Sequence, residues 1–471
     1  VAAGAISKAN ADDPKKSSLI RCARTDKGVH AAGNLISLKL IIEDPDIVKK
    51  INQNLSPQIR VFGLVRTSGS FSAYQLCDSR IYEYLIPSHA FVPPHPKTFL
   101  GRKLVEIAEE SNDTGDFQKR QAEVASFWED VEDQYIKPIL AKLDPSARST
   151  VLQAFYEMNI DSAELEGPAQ YAKSKDSAKK ETLLPETQPG MSPSDLSAAS
   201  IASLNQEECV RHQSLLPSIG VEVGVDVMPA KEKCDPLAIS EVDGPIFKAQ
   251  TTVSDKTNAV DGTLNPRKCL NNKLMLEQTV RELKTAHIAA RKAYRIQPER
   301  LARVRSVLSR FVGSHNFHNY TVNKAFADAS AKRVIKTFVV HKDPIVINDT
   351  EWLSLKVHGQ SFMMHQIRKM VSMTALVVRC GCDEGRLEDS YKRDRISIPK
   401  APGLGLLLER PVFDTYNDRF AGQRERLDFA KYETEMEQFK QREIYERIFR
   451  EEERDNQSAL PFHSSQTPRP A

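Results

Sequence analysis

Eight consecutive residues near the start of the chain, Arg24-Thr25-Asp26-Lys27-Gly28-Val29-His30-Ala31, set a lone carboxylate in a tight basic turn. Arg24, Lys27 and His30 flank Asp26, and Gly28 allows the backbone a conformation that other residues resist. A carboxylate with cationic neighbours stays ionised and can act as a nucleophile or a base. An Asp in a glycine-containing turn is more often turn chemistry than catalysis. Two further segments shift that balance. In Ser79-Arg80-Ile81-Tyr82-Glu83-Tyr84-Leu85-Ile86-Pro87, strand periodicity puts Tyr82, Tyr84 and Ile86 on one face. Such tyrosines are usually core, but one at a sheet's mouth can stack on a base and offer its hydroxyl. The run from Gly359 to Val371 begins as the end of a strand and turns into an amphipathic helix. Arg368 and Lys369 are cationic in a segment otherwise suited to burial. A buried Arg needs an anion, and Asp26 is the candidate.

The elements that must position these groups follow from the pattern of the chain. Residues 1–100 read as a strand-rich first half of a catalytic body, with an alternating strand over Asn34 to Ile42 and a helix around Asp46 to Asn54. Residues 101–156 read as helical, with Trp128, Val131, Tyr135, Ile139 and Leu143 at helical spacing and Pro138 as a break. From 157 to 270 the periodicity fails, and Ser, Pro, Glu, Lys and Gly dominate. Such a segment buries too little apolar surface to offset its ordering entropy, so a disordered acidic insert is expected. Residues 271–416 form the second half of the body. Pro298 suits the first turn of a helix with Leu301, Val304, Leu308 and Phe311 inward and Arg300, Arg303, Arg305 and Arg310 on its other sides. Strands are expected at 332–340 and 352–358. A charged helix over 417–456 and a loose tail over 457–471 complete the chain.

The 471 residues are 27% charged and 40% hydrophobic, within the range of a soluble protein with polar extensions. No apolar run is long enough for a membrane span, and no secretory signal is visible. The seven cysteines show no framework spacing, which points to reduced thiols. Cys380 and Cys382 are too close together for the usual zinc pattern. The net charge of +3 divides unevenly: residues 157–265 carry −9, leaving +12 for the remainder. A basic body beside an acidic segment suits an RNA binder with a solvated loop.

Five blocks, taken together and in order, resemble the TruA family of tRNA pseudouridine synthases, and its eukaryotic nuclear branch in particular. They are residues 23–31, 79–84, Val312-Gly313-Ser314-His315-Asn316-Phe317-His318-Asn319-Tyr320, Ser361-Phe362-Met363-Met364-His365-Gln366-Ile367-Arg368-Lys369-Met370, and Pro402-Gly403-Leu404-Gly405-Leu406-Leu407-Leu408. The resemblance implies an α+β pseudouridine synthase fold, a two-part mixed or antiparallel sheet with flanking helices. The family's opening strand is absent ahead of Asp26, so the sequence reads as truncated there, with the first strand missing. By the resemblance, Asp26 is the catalytic carboxylate, Tyr82 stacks on the flipped uracil and serves in proton transfer, and Arg368 pairs with Asp26. Arg24 touches the RNA backbone, and Leu406 or Leu407 forms an apolar wall beneath the base. Lys27 stands where bacterial relatives carry a small residue, and it adds positive charge beside Asp26. Arg291 and Arg295 belong to a cationic run that the resemblance turns towards RNA. His30, His315, His318 and His365 read as structural, hydrogen-bonded histidines.

Isomerising uridine to pseudouridine breaks an N-glycosidic bond and forms a carbon–carbon bond with no redox change. It therefore requires no cofactor; family precedent leaves a structural zinc as an alternative. The implied substrate is tRNA, at uridines of the anticodon stem-loop region, with small nuclear RNA and messenger RNA as further classes. The implied setting is the nucleus, with the mitochondrion as the alternative, and the enzyme is expected to be a monomer with no membrane and no obligate protein partner. Three other readings compete: a catalytically inactive RNA-binding relative, a related TruA branch acting at other tRNA positions, and a scaffold whose acidic insert binds a protein.

Overall fold

Ser79–Pro87 is rich in aromatic and β-branched residues, and it forms the strand around which the catalytic body is built. The computed structural model describes residues 1–157 and 266–455. These belong to one of two compact units, Val1–Gly167 with Leu264–Ala471. The other unit, Pro168–Thr263, lies outside the described residues, as do most of the expected insert and the tail 457–471. The parts of the insert that are described, residue 157 and residues 266–270, are helical.

The strands are β1 (Ile20–Arg21), β2 (His30–Ala31), β3 (Ile36–Ser37), β4 (Ser79–Pro87), β5 (Gly313–Asn316), β6 (Lys332–Val340), β7 (Ile345–Ile347), β8 (Thr350–Gly359) and β9 (Leu406–Val412). β1 and β3 pair as a small separate ribbon. The others form a seven-stranded sheet in the order β2-β9-β4-β8-β6-β5, with β7 also paired to β8. All pairings are antiparallel except β2 with β9, so the sheet is mixed and the fold is α+β. Strands from the two halves of the sequence interleave, and this brings Asp26 and Tyr82 to a common sheet with β9.

Alternation along β4, β8 and β9 gives the sheet two distinct faces. Tyr82, Tyr84 and Ile86 lie opposite Val357, Leu355 and Leu353 of β8, and Tyr82 and Tyr84 lie opposite Leu408 and Leu406 of β9. These residues join the main core with Val304, Val307 and Leu308 and with Ile367, Met370 and Val371. The helices concerned are α2 (Pro298–Ser309) and α3 (Gln366–Arg379), which follow the long α1 (Pro266–Ala293). On the other face, Leu85, Trp352 and Leu407 pack with Phe439, Ile444, Tyr445 and Ile448. The last of these belongs to α4 (Glu446–Asp455).

Glu83 lies on this second face and is almost fully buried. It accepts a hydrogen bond from the Tyr445 hydroxyl at 2.6 Å and one from Ser354, with the Lys440 ammonium 3.7 Å away. Lys440 and Tyr445 are the ends of a π-helical stretch (Lys440–Tyr445), and both side chains are buried. The wider helical turn thus coincides with the residues that satisfy Glu83.

Several sequence expectations change in the structure. The alternating run Asn34 to Ile42 forms only the two-residue β3, because β1 offers it no longer partner. Residues 101–156 form several short helices, with Pro138 in the first turn of Lys137–Leu140. The C-terminal helix expected over 417–456 is helical only in pieces, with continuous turns from Phe429 to Asp455. On α2, Arg300 is completely buried rather than turned outward. Its guanidinium binds Glu123 at 2.8 Å, the Phe91 carbonyl at 2.6 Å and Gln121 at 2.6 Å. A fully paired buried Arg is a structural tie between segments, not a phosphate contact.

Candidate active site

The carboxylate of Asp26 sits at the start of a reverse turn. The Val29 amide donates to the Asp26 carbonyl at 3.0 Å, and Gly28 has φ +81°, the pattern of a type II turn. A Cβ at Gly28 would meet nothing within 4 Å, so conformation rather than space calls for glycine there. The turn feeds directly into β2, which lies parallel to β9, with the Ala32 amide bound to the Leu408 carbonyl at 2.8 Å. Arg80 secures the preceding residues by donating to the Cys22 carbonyl at 2.9 Å. The Asp26 side chain keeps about a third of its surface, 33%, open to solvent. Arg24 and Lys27 are exposed beside it.

Tyr82 is one strand further in, opposite Leu408. The β4–β9 register shifts between Ile81 and Tyr82, leaving Glu409 without a partner across the ladder. Such a bulge re-aims the side chains that follow it. The Tyr82 ring meets Phe362 edge-to-face, with centroids 5.3 Å apart at 81°. Burial pushes its phenol up to about 12, and the Asp26 carboxylate is among the charges that act in the same direction. Its hydroxyl is therefore protonated at neutral pH. Tyr84, deeper on the same face, donates to the Pro402 carbonyl at 2.8 Å and so holds the Pro402–Gly405 loop. That loop packs closely at Gly405, where a Cβ would lie 2.3 Å from the Leu85 carbonyl oxygen.

Arg368 is the third residue of α3 and is nearly buried. The expected direct pair with Asp26 is not what the structure contains. Arg368 Nε donates to the Ala401 carbonyl at 2.6 Å, and the Asp26 carboxylate takes its hydrogen bond from His365 instead. Gly403 separates the guanidinium from the Asp26 turn. A Cβ on Gly403 would lie 3.7 Å from Arg368 Cζ and 3.8 Å from the Lys27 carbonyl oxygen. Gly403 thus lies between Arg368 and the turn, while the Ala401 carbonyl satisfies the Arg368 Nε.

His365, read from the sequence as a structural, hydrogen-bonded histidine, has its hydrogen bond at the site itself. Its Nδ1 lies 2.8 Å from Asp26 Oδ2. It occupies the N-cap of α3 with φ +63°, a left-handed conformation uncommon outside glycine. A signal was available: His365 and Arg368 are three apart at the opening of a helix, so a group that meets one is near the other. His30, expected beside Asp26, lies instead across from Leu407, and burial and Arg447 push its imidazole down.

The remaining expected contacts divide. Leu406 shares the face of Tyr84, whereas Leu407 lies opposite Glu83 and packs on the far side with Phe439 and Tyr445. The residue on the Tyr82 face is Leu408, because side chains alternate along β9. Arg291 lies over the Trp128 ring, 5.7 Å from its centroid, and is strongly desolvated. Arg295 Nη1 binds the carbonyls of Lys292 and Tyr294, both at 2.8 Å, closing the end of α1. Both make contacts within the body and stay half-buried. Asn319 ties its loop by donating to the Ser390 and Asp394 carbonyls at 3.0 and 2.9 Å. Lys369 donates to the Asn319 and Thr321 carbonyls at 3.0 and 3.1 Å, and burial pushes its ammonium down to about 8. These bonds fix the 318–321 loop to the start of α3. Among the described residues, no group of three or more His, Cys, Asp or Glu side chains is arranged to hold a metal ion.

Residues 307–414, which include His365, Arg368 and β9, match the family described as tRNA pseudouridine synthase. A Schizosaccharomyces pombe protein named tRNA pseudouridine synthase 1 is 39% identical over 464 residues, 96% of this chain and 74% of its own length. A Yarrowia lipolytica protein of the same name is 37% identical over 96% of this chain and 65% of its own. A Saccharomyces cerevisiae protein named tRNA pseudouridine(27/28) synthase is 28% identical over 88% of this chain and 76% of its own. The chain thus spans about two thirds to three quarters of these relatives.

Proposed function

The chain belongs to the tRNA pseudouridine synthase family, whose members convert uridine to pseudouridine in tRNA, and from that premise we propose that Asp26 is the carboxylate that performs the conversion here. The observation that carries the proposal is the partly open Asp26 carboxylate in the turn that leads into β2, bound to His365 at the start of the helix that also carries Arg368 and near enough to Tyr82 to act on its phenol.

The target base is stacked in RNA and must be extruded, at a cost of a few kcal/mol. Exposed Arg24 and Lys27 contact the phosphate backbone that enters beside Asp26. The Tyr82 ring, backed edge-on by Phe362, receives the extruded uracil, and Leu408 with Leu406 forms the apolar wall beneath it. Asp26 forms the covalent link that lets the C1′–N1 bond break. The base turns and C1′ bonds to C5, the link to Asp26 breaks and returns the carboxylate, and the C5 proton leaves as N1 gains one. The protonated Tyr82 hydroxyl takes part in that exchange. The Arg368 guanidinium, on the helix that begins at His365, adds positive charge for the nucleotide that enters the site. Each step is balanced within the substrate and these side chains, so no redox cofactor enters.

The substrate proposed is tRNA at uridines of the anticodon stem-loop region, with small nuclear and messenger RNA as further classes. A monomeric enzyme acting in the nucleus completes the proposal. The resemblance of residues 315–320 and 362–370 to the eukaryotic branch supports these assignments, and the +12 charge outside 157–265 supports a polyanionic partner.

The test is incubation of the full chain with tRNA transcripts carrying [5-³H]uridine, because the reaction expels the C5 hydrogen. Release of tritium confined to anticodon-arm uridines is expected. Tight tRNA binding with no release would leave an inactive RNA-binding relative as the correct reading.

A further inference from the structure

We propose that His365 is a positioning residue for Asp26: it holds one carboxylate oxygen so that the other is presented to the nucleoside. This inference rests on Asp26 being the reactive carboxylate.

The geometry is direct. His365 Nδ1 and Asp26 Oδ2 are 2.8 Å apart. An ionised carboxylate only accepts, so Nδ1 carries the proton and donates it. Among the described residues, Oδ1 of Asp26 accepts no hydrogen bond. One oxygen is therefore fixed and the other is free, in a side chain that is one third exposed. The Nδ1–Oδ2 bond removes the rotation that would otherwise average the two oxygens.

The backbone beneath the ring is specialised for this aim. A side chain at φ +63° is held against its own preference, at a cost of order 1–3 kcal/mol. The neighbours that hold it are identifiable. Thr321 Oγ1 donates to the Met364 carbonyl at 3.0 Å, the Met363 amide donates to Gln366 Oε1 at 2.9 Å, and the Lys369 amide donates to the His365 carbonyl at 3.0 Å. Strain sustained by its surroundings beside a reactive group is where a functional constraint is expected. His365 opens the helix Gln366–Arg379, whose hydrogen-bonded start holds the ring's backbone in place.

A bland structural role would also give a hydrogen-bonded histidine. Two substitutions separate the cases. His365→Asn puts an amide donor near the place of Nδ1, and Asn is among the non-glycine residues most at ease at positive φ. His365→Gly relieves the backbone fully and offers no donor. In steady-state tritium release with tRNA, Asn is expected to keep kcat within about threefold of the parent. Gly is expected to lower kcat by about 10- to 100-fold, the effect of losing a hydrogen bond to a charged group. KM and tRNA affinity should stay within about threefold in both, since only the reactive state is affected.

Equal activity of the Gly variant and the parent, an equal loss in Asn and Gly, or a change confined to KM would each overturn the proposal. Thermal melting of each variant checks folding, and His365→Ala takes the place of Gly in the comparison if Gly fails to fold. Asp26→Ala is run alongside. Activity in that variant overturns the Asp26 reading itself, whereas an inactive Asp26→Ala with a fully active His365→Gly overturns only the positioning role.

Discussion

Removing the ring of Tyr82 is the perturbation that probes the proposed base-stacking role most finely. Tyr82 is 8% exposed, backed by Phe362 and opposite Leu408, so Tyr82→Leu keeps an apolar side chain of moderate size at that place in the core. The substitution deletes a base-stacking platform, and stacking of one base on an aromatic ring contributes about 1–3 kcal/mol. At about 1.4 kcal/mol per tenfold, that is a slowing of about 5- to 150-fold. Loss of the edge-to-face pair with Phe362 costs a further ~0.5–1.5 kcal/mol, and this appears in stability rather than rate. Tyr82→Phe separates the remaining role, because it retains the ring and deletes only the hydroxyl. If that hydroxyl serves in proton exchange, general acid–base catalysis of about 10²–10⁴-fold is lost without loss of stacking. The assay is single-turnover tritium release with enzyme in excess over [5-³H]uridine tRNA, which isolates chemistry from product release. A Tyr82→Leu rate within twofold of the parent, in a folded protein, would refute the stacking argument. An unchanged Tyr82→Phe rate would refute the proton-exchange role alone.

Other predictions concern the scaffold. Glu83→Ala leaves the buried Tyr445 hydroxyl and Ser354 Oγ without their acceptor while Lys440 keeps Glu437 at 2.7 Å, so urea unfolding should show a loss of about 1–3 kcal/mol; an unchanged midpoint would contradict a tie through that carboxylate. Leu407→Ala and Leu408→Ala empty equally buried sites on opposite faces, each destabilising by about 2–5 kcal/mol. At a temperature where both are folded, only Leu408→Ala should lower kcat, and equal kcat losses would contradict the assignment of faces. Burial pushes the imidazoles of His89 and His287 from 6.5 down to about 3. Arg291, Lys292 and Arg379 face the first, and Arg291, His95 and Glu132 the second. The unfolded state therefore binds more protons between those values, and stability should fall as pH drops from 6.5 towards 3, by up to about 1.4 kcal/mol per pH unit for each histidine. Urea midpoints at pH 7.5 and pH 5 check this, and an equal midpoint at both would contradict it.

Much of the site was legible because its residues lie in short, strongly patterned words. The turn at Gly28, the alternation of Tyr82 and Tyr84 and the helix of Arg368 all follow from local rules, and each is found where the pattern implied. Pairing across the fold was less legible. The partner of Arg368 is a backbone carbonyl at Ala401, and the partner of Asp26 is His365. No single-sequence pattern ranks a loop carbonyl against a carboxylate. Likewise, Leu406-Leu407-Leu408 is uniformly apolar because β9 is covered on both faces, so composition alone does not say which leucine turns towards Tyr82. Arg300 illustrates the same limit: its helical position suggested an outward cation, yet Glu123 and Gln121 fold over it from a segment far away in sequence.

The most direct measurement is tritium release by Asp26→Ala with [5-³H]uridine tRNA, alongside its affinity for the same tRNA. The mechanism predicts no release above background, with affinity within about threefold of the parent, because a residue needed only for covalent chemistry contributes little to ground-state binding. Release at the parent's rate would contradict it.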